Sequence, residues 1–144
     1  MSEIQYGIAW QENFRLGDKN VDNQHRKLFE LLSEIVGSCL DGSDIEKLQQ
    51  TLDFLVEYTV RHFYDEESLQ VQYSYPDYKR HKQLHEEFKA TVTAIVEEFQ
   101  RNGSSAKLSE DVNKTVVKWL TNHIMNEDKK VGAFLHEERM RHVI

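Results

Sequence analysis

Apolar residues recur along the chain at alternating intervals of three and four. One series runs Val21, His25, Leu28, Leu32, Ile35 and Cys39. A second runs Ile45, Leu48, Leu52, Leu55, Thr59, His62, Glu66 and Leu69. A third runs Tyr78, His81, His85, Phe88, Val92, Ile95 and Phe99, and a fourth runs Val112, Val116, Trp119 and His123. That alternation is the period of a helix that buries one stripe against its neighbours. The stripes are separated by turn-forming sequence at Asp41-Gly42-Ser43, around Tyr75-Pro76-Asp77 and at Asn102-Gly103-Ser104-Ser105. Four stripes with short connections predict an all-α fold, an up-down-up-down antiparallel four-helix bundle. Helices are expected over roughly 18–39, 43–71, 77–101 and 108–140, with Ser43 or Asp44, Asp77 and Ser109 as N-caps. Residues 1–17 read as an irregular arm that Trp10 and Phe14 tuck against the bundle. With no repeat, linker or low-complexity tract, 1–144 reads as a single domain.

The polar members of these stripes are the informative ones. A buried imidazole or carboxylate costs free energy unless something pairs it. His25, His62, Glu66, His81, His85 and His123 all occupy seam positions. Counting from the turns at 1.5 Å per residue, His25, His62, His85 and His123 fall within roughly one helical turn of the same level. Glu66 and His81 lie one turn further toward Pro76. His62 with Glu66, and His81 with His85, are i, i+4 pairs that project from one face. Imidazoles and carboxylates converging in a bundle core are how such folds hold metal. Five neutral imidazoles with few acids suit a borderline transition metal better than calcium or magnesium. Five also exceed the four ligands of a structural zinc site, so two metals are expected, and two close metals need bridging carboxylates.

Glu66 supplies one bridge; the fourth helix must supply the other. Glu127, at i+4 from His123, and Asp128, at i+5, compete. Counting on from Glu127 places Lys130 on the seam, whereas counting from Asp128 places Val131 and Leu135 there. The apolar phase therefore slips by one residue after His123. A one-residue insertion in a helix is a π-bulge, a feature frequent at functional sites, and it selects Asp128. His136 and His142 fall outside the layer, in a charged tail. Apart from Glu66, the run Asp65-Glu66-Glu67 reads as a solvated face.

Composition narrows the function classes. The chain has 144 residues, Lys+Arg 18 against Asp+Glu 25, and a formal net charge of −7, which argues against non-specific binding to nucleic acid or anionic membranes. Gly is 6 and Pro is 1, too few breakers for a turn-rich sandwich or barrel. Cys39 is the lone cysteine, so no intrachain disulfide and no cysteine-based zinc site is possible, and it reads as a small buried hydrophobe. Neither a signal peptide nor a membrane-spanning run is recognisable, so a cytoplasmic location is expected. Charged outer faces favour a monomer.

The lone His25, preceded by Asn-Gln, with His62-Phe-Tyr-Asp-Glu66, His81-Lys-Gln-Leu-His85 and His123-Ile-Met-Asn-Glu-Asp128, resembles the ligand pattern of the hemerythrin family, specifically its single-domain bacterial members (bacteriohemerythrins). All seven positions match in order, and Trp10 and the stretch from Leu16-Gly17 to Gln24 resemble that family's arm. The resemblance implies reversible O₂ binding, for carriage, storage or delivery, at two non-haem iron ions joined by an oxo or hydroxo bridge. By carry-over His81, His85 and His123 hold one iron and His25 and His62 the other, which keeps an open position; Glu66 and Asp128 bridge them. Leu28, Phe63, Trp119, Leu120 and Ile124, all within a turn of these ligands, are the expected apolar lining of the O₂ pocket. An O₂-consuming enzyme is a conceivable recipient. The competing functions are a di-iron redox enzyme that reduces peroxide, nitric oxide or nitrite, an O₂ or redox sensor acting through a separate partner, and iron handling. No acid–base pair stands out beside the layer, which favours a binding protein over an enzyme.

Overall fold

The computed structural model describes residues 10–41 and 45–141. After a single 3-10 turn, Glu12–Phe14, come α1 (Lys19–Asp41), α2 (Ile45–Gln72), α3 (Tyr78–Asn102) and a fourth helix over 106–141. No strand is present among the described residues. Each helix packs on the next, and the fourth closes the ring against both α1 and α3. This is the up-down-up-down bundle that the stripes predict. The core is built from the stripe residues, with Leu28, Leu32, Leu48, Leu52, Phe88, Leu108 and Leu120 all essentially inaccessible.

Local chemistry sets the helix ends. Asp18 Oδ1 accepts from Val21 N at 3.0 Å and so caps α1. Asp22, buried, accepts from Leu16 N and Gly17 N, which ties the arm to the first turn of α1. Phe14 is buried and stacks on Phe29 with ring centroids 5.2 Å apart, and Arg26 lies over the Trp10 ring. The α2–α3 turn contains Pro76, which lacks the N–H to continue a helix. Gly103, at φ +71, ends α3 by donating its N–H to Phe99 O, in a conformation that suits glycine.

Several expectations differ in detail. Ser105, not Ser109, caps the fourth helix: its hydroxyl accepts from Leu108 N, while Ser109 sits inside the helix, buried, and donates to Val36 O. Asp77 stands at the N-cap of α3, but its carboxylate accepts from Arg80 rather than from a backbone N–H. Ser43 and Asp44 lie outside the described residues. Ile45, the first residue of α2, is 49% exposed, and the stripe is first covered at Leu48. Toward the other end of α2 the buried position after Glu66 is Gln70, leaving Leu69 half-buried.

The fourth helix is not uniformly α. It takes i→i+5 hydrogen bonding over Val112–Val117 and again over Ile124–Asp128, separated by an α turn Lys118–His123. The second π segment lies where the apolar phase slips in the sequence. The first buries Val116 and Val117 side by side and turns Leu120 inward, so that Trp119 sits half-exposed at the edge of the seam.

Candidate metal centre

All four helices contribute to one buried polar layer. His25 comes from α1, His62 and Glu66 from α2, His81 and His85 from α3, and His123 and Asp128 from the fourth helix. None is more than 4% exposed. The π segment after His123 adds the residue that carries Asp128 inward. Glu127 instead turns outward, and both of its oxygens accept from Arg80, at 2.6 and 2.9 Å. Had the helix stayed α, the i+4 position would have faced the layer.

The Nε2 atoms of the five histidines converge on the two carboxylates. Glu66 Oε1 lies 2.8 Å from His81 Nε2 and 3.6 Å from His85 Nε2, while its Oε2 lies 3.3 Å from His62 Nε2 and 3.8 Å from His25 Nε2. Asp128 Oδ1 lies 3.0 Å from His81 Nε2 and 3.1 Å from His123 Nε2, and its Oδ2 is 3.3 Å from His25 Nε2. Ligand atoms of Glu66, His81, His85, His123 and Asp128 all fall within 4.8 Å of one another, and so do those of His25, His62 and Glu66. Glu66 belongs to both sets, and Asp128 reaches from the first set to His25. Two cations sharing two carboxylates is the arrangement this connectivity can hold.

The protons point to the same chemistry. His62 Nδ1 donates to Gln24 Oε1 at 2.7 Å, and Gln24 Nε2 donates in turn to Asp65 Oδ2 at 2.8 Å. His85 Nδ1 donates to Glu67 Oε2 at 2.7 Å. Each bond fixes the proton on Nδ1 and leaves the Nε2 lone pair aimed at the centre, the outer support that metal-bound histidines usually have. Meanwhile His25 Nε2, His62 Nε2, His85 Nε2, Glu66 Oε2 and Asp128 Oδ1 are buried without a well-formed hydrogen bond. His81 and His123 face each other Nε2 to Nε2 at 3.2 Å. Buried polar atoms without partners are rare and costly, and a cation is what this donor set would satisfy.

Electrostatics follow from this crowding. Burial alone would push the His25 imidazole down, but its contacts with Asp128 and Glu66 outweigh it and raise its pKa to about 9. His81, against the same two acids, rises to about 10. For His62 burial wins, and its pKa is lowered. Burial likewise opposes ionisation of Glu66 and Asp128, but the surrounding imidazoles hold both carboxyls below the usual range.

Gln24, Asp65 and Glu67 were not identifiable as site residues from the sequence. The expectation of a solvated Asp65 and Glu67 is corrected: both are half-buried and engaged with the layer, because α2 turns this face toward α1 and α3. Gln70, fully buried one turn beyond Glu66, directs its amide nitrogen toward Glu66 Oε1 at 3.5 Å. On the opposite flank Phe63 stacks on the His85 ring at 3.8 Å and Trp119 on the His123 ring at 4.4 Å. Leu28, Leu120 and Ile124 are buried in the same apolar cluster. His136 is exposed, and His142 lies outside the described residues.

Comparison with known proteins points to a cation-binding family. The family model described as "Hemerythrin HHE cation binding domain" matches residues 16–135. A bacteriohemerythrin of Pseudomonas paraeruginosa is 28% identical over 121 residues, covering 84% of this chain and 76% of its own. A myohemerythrin of Theromyzon tessulatum is 31% identical over 128 residues, covering 89% and 93%. A solved structure described as wild-type hemerythrin superposes with a TM-score of 0.76 over 89% of this chain and 97% of its own, at 24% identity, a likeness of fold.

Proposed function

The chain belongs to the hemerythrin family, and from that premise we propose that it binds O₂ reversibly at two non-haem irons, for carriage, storage or delivery. The observation that carries the proposal is the sharing of Glu66 and Asp128 between two histidine sets inside one buried layer. In this reading His81, His85 and His123 would hold one iron and His25 and His62 the other, with Glu66 and Asp128 shared between the two. The bound di-iron centre supplies the electrons that let O₂ be taken up and given back.

The remaining tasks fall to the chain's own residues. Gln24 and Glu67 hold the His62 and His85 rings with Nε2 inward. Leu28, Phe63, Trp119, Leu120 and Ile124 form the apolar side from which O₂ approaches and water is kept away, which slows irreversible oxidation of the metals. Five neutral imidazoles against two carboxylates keep the layer less anionic than a carboxylate-rich di-iron site, favouring the ferrous state. A monomeric state, a cytoplasmic location and an O₂-consuming recipient belong to the same proposal. No helix among the described residues is long and apolar enough to cross a membrane.

The test is a visible spectrum of the anaerobically reduced protein, recorded again after O₂ and after purging, with iron quantified. A charge-transfer band that forms and bleaches reversibly at two irons per chain is expected. One-way oxidation at full iron loading would overturn reversible binding and favour a di-iron redox enzyme. Leu120→Ala should leave iron content unchanged and speed autoxidation; an unchanged rate removes Leu120 from the pocket.

A further inference from the structure

Beyond the metal layer, toward the Pro76 end of the bundle, lies a cavity of about 160 Å³ between the arm, α1, α2 and the fourth helix. Its position is set by the sequence. Val21 is one turn before His25, Leu69 one turn after Glu66, and Val131 and Leu135 follow Asp128, so it faces the layer from the side opposite Leu28 and Leu120. Leu16, Val21, Leu69, Val131 and Leu135 give it an apolar wall, and Glu66 stands at its inner end. The arm can lie this close to the fourth helix because Gly132 has no side chain: a Cβ there would meet Leu16 O at 2.9 Å.

Apart from Glu66, the polar side chains gather at the mouth. Asp18, Arg139 and His136 line it, and Arg139 Nη2 donates to Asp18 Oδ2 at 2.9 Å. Asp18, Val21, Leu69 and Arg139 also line a polar groove on the outer surface, so the Asp18–Arg139 pair stands between that groove and the cavity. Such an ion pair, 40% exposed on its arginine side, is weakly held. The Arg139 guanidinium can swing away along Tyr73, over whose ring it already lies.

A buried water needs two to four polar partners, whereas dry apolar cavities of about 150 Å³ accept xenon or benzene. Here the inner wall offers a water a single polar side chain, Glu66, and Asp18 and Arg139 satisfy each other, so a water there lacks the set of partners it needs. We infer that this cavity is a docking site for a small uncharged gas molecule on the carboxylate side of the layer, reached past the Asp18–Arg139 ion pair. The inference rests on packing and stands apart from the O₂-binding proposal.

The probe is xenon. Crystals of the purified protein pressurised with xenon should show an anomalous peak in contact with Val21, Val131 and Leu135. Val131→Phe fills the cavity and should abolish the peak. Leu69→Phe, at a half-buried position that tolerates a larger side chain, should do the same if Val131→Phe fails to fold. A peak elsewhere only, a peak that survives in the folded variants, or an ordered water held in its place would overturn the assignment. In solution, Arg139→Ala should speed xenon exchange several-fold, read by ¹²⁹Xe NMR, with saturation unchanged; an unchanged exchange rate would overturn the ion pair as the mouth.

Discussion

Under the two-iron proposal, His25 and His81 carry protons that the metal would displace. Their pKa values rise to about 9 and about 10 because two buried carboxylates face them, so both imidazoles are charged in the metal-free protein at pH 7.5. Loading two divalent metals should therefore release about two protons per chain, measurable by titration calorimetry in buffers of different ionisation enthalpy. Release near zero would mean that these rings are already neutral. The same shifts set the pH dependence of the metal-free fold. Raised imidazoles contribute fully below their ordinary 6.5 and lose that contribution as pH rises through 9 to 10. Depressed Glu66 and Asp128 contribute above their ordinary 4.5 and 3.8 and lose it on acidification. His62, whose pKa burial lowers, works the other way and costs stability as pH falls below 6.5, so metal-free stability should peak near pH 6.5 and decline toward both acid and alkaline pH, as thermal melts would show. The neighbouring acids 127 and 128 separate by the same logic. Asp128→Asn should cut metal content below two per chain, while Glu127→Gln, which only weakens the partly exposed contact with Arg80, should keep it at two; equal losses would contradict the geometry.

At the scale of elements, the fourth helix decides what the other three can meet. Its second π segment advances the chain by one residue, so Asp128, Val131 and Leu135 face inward and Glu127 and Lys130 do not. The slip is legible in the sequence because apolar residues on both sides of it keep their own period. The first π segment, Val112–Val117, is not, since Val112 and Val116 fit an ordinary α turn; the adjacent Val116 and Val117, both buried, are the one trace it leaves. Packing of the arm onto this helix is equally local. Gly132→Ala would gain helix propensity but drive a Cβ into the Leu16 carbonyl, a backbone atom that cannot rotate aside. The clash should win, with a net loss of roughly 1–2 kcal/mol in chemical denaturation; a stabilised variant would show that the arm yields freely.

For the whole molecule, folding and metal binding are one balance. The bundle buries five imidazoles and two carboxylates that the unfolded chain leaves in water, and ligation offsets that cost only in the folded state. Metal held at about 100 times its Kd should add about 2.7 kcal/mol of stability, which for a domain of this size raises the melting temperature by roughly 5–10 °C. Calorimetry of metal-free and reconstituted protein would measure it, and identical melting temperatures would argue against a metal in the layer.

The sequence by itself determined the four stripes, the turns between them and the identity of the seven polar residues on the seams. Each of these is a periodicity or a spacing within one helix, and helical geometry converts such spacings directly into faces and levels. It determined Asp128 over Glu127 for the same reason. Only the tertiary structure decided that Gln24, Asp65 and Glu67 serve the layer, because their roles depend on how neighbouring helices are rotated about their axes. The Ser105 cap, the first π segment and the cavity beside Glu66 were likewise settled by packing. A cap depends on where the chain leaves the preceding loop, a π turn on what presses against the helix, and a cavity on the space that several elements together fail to fill.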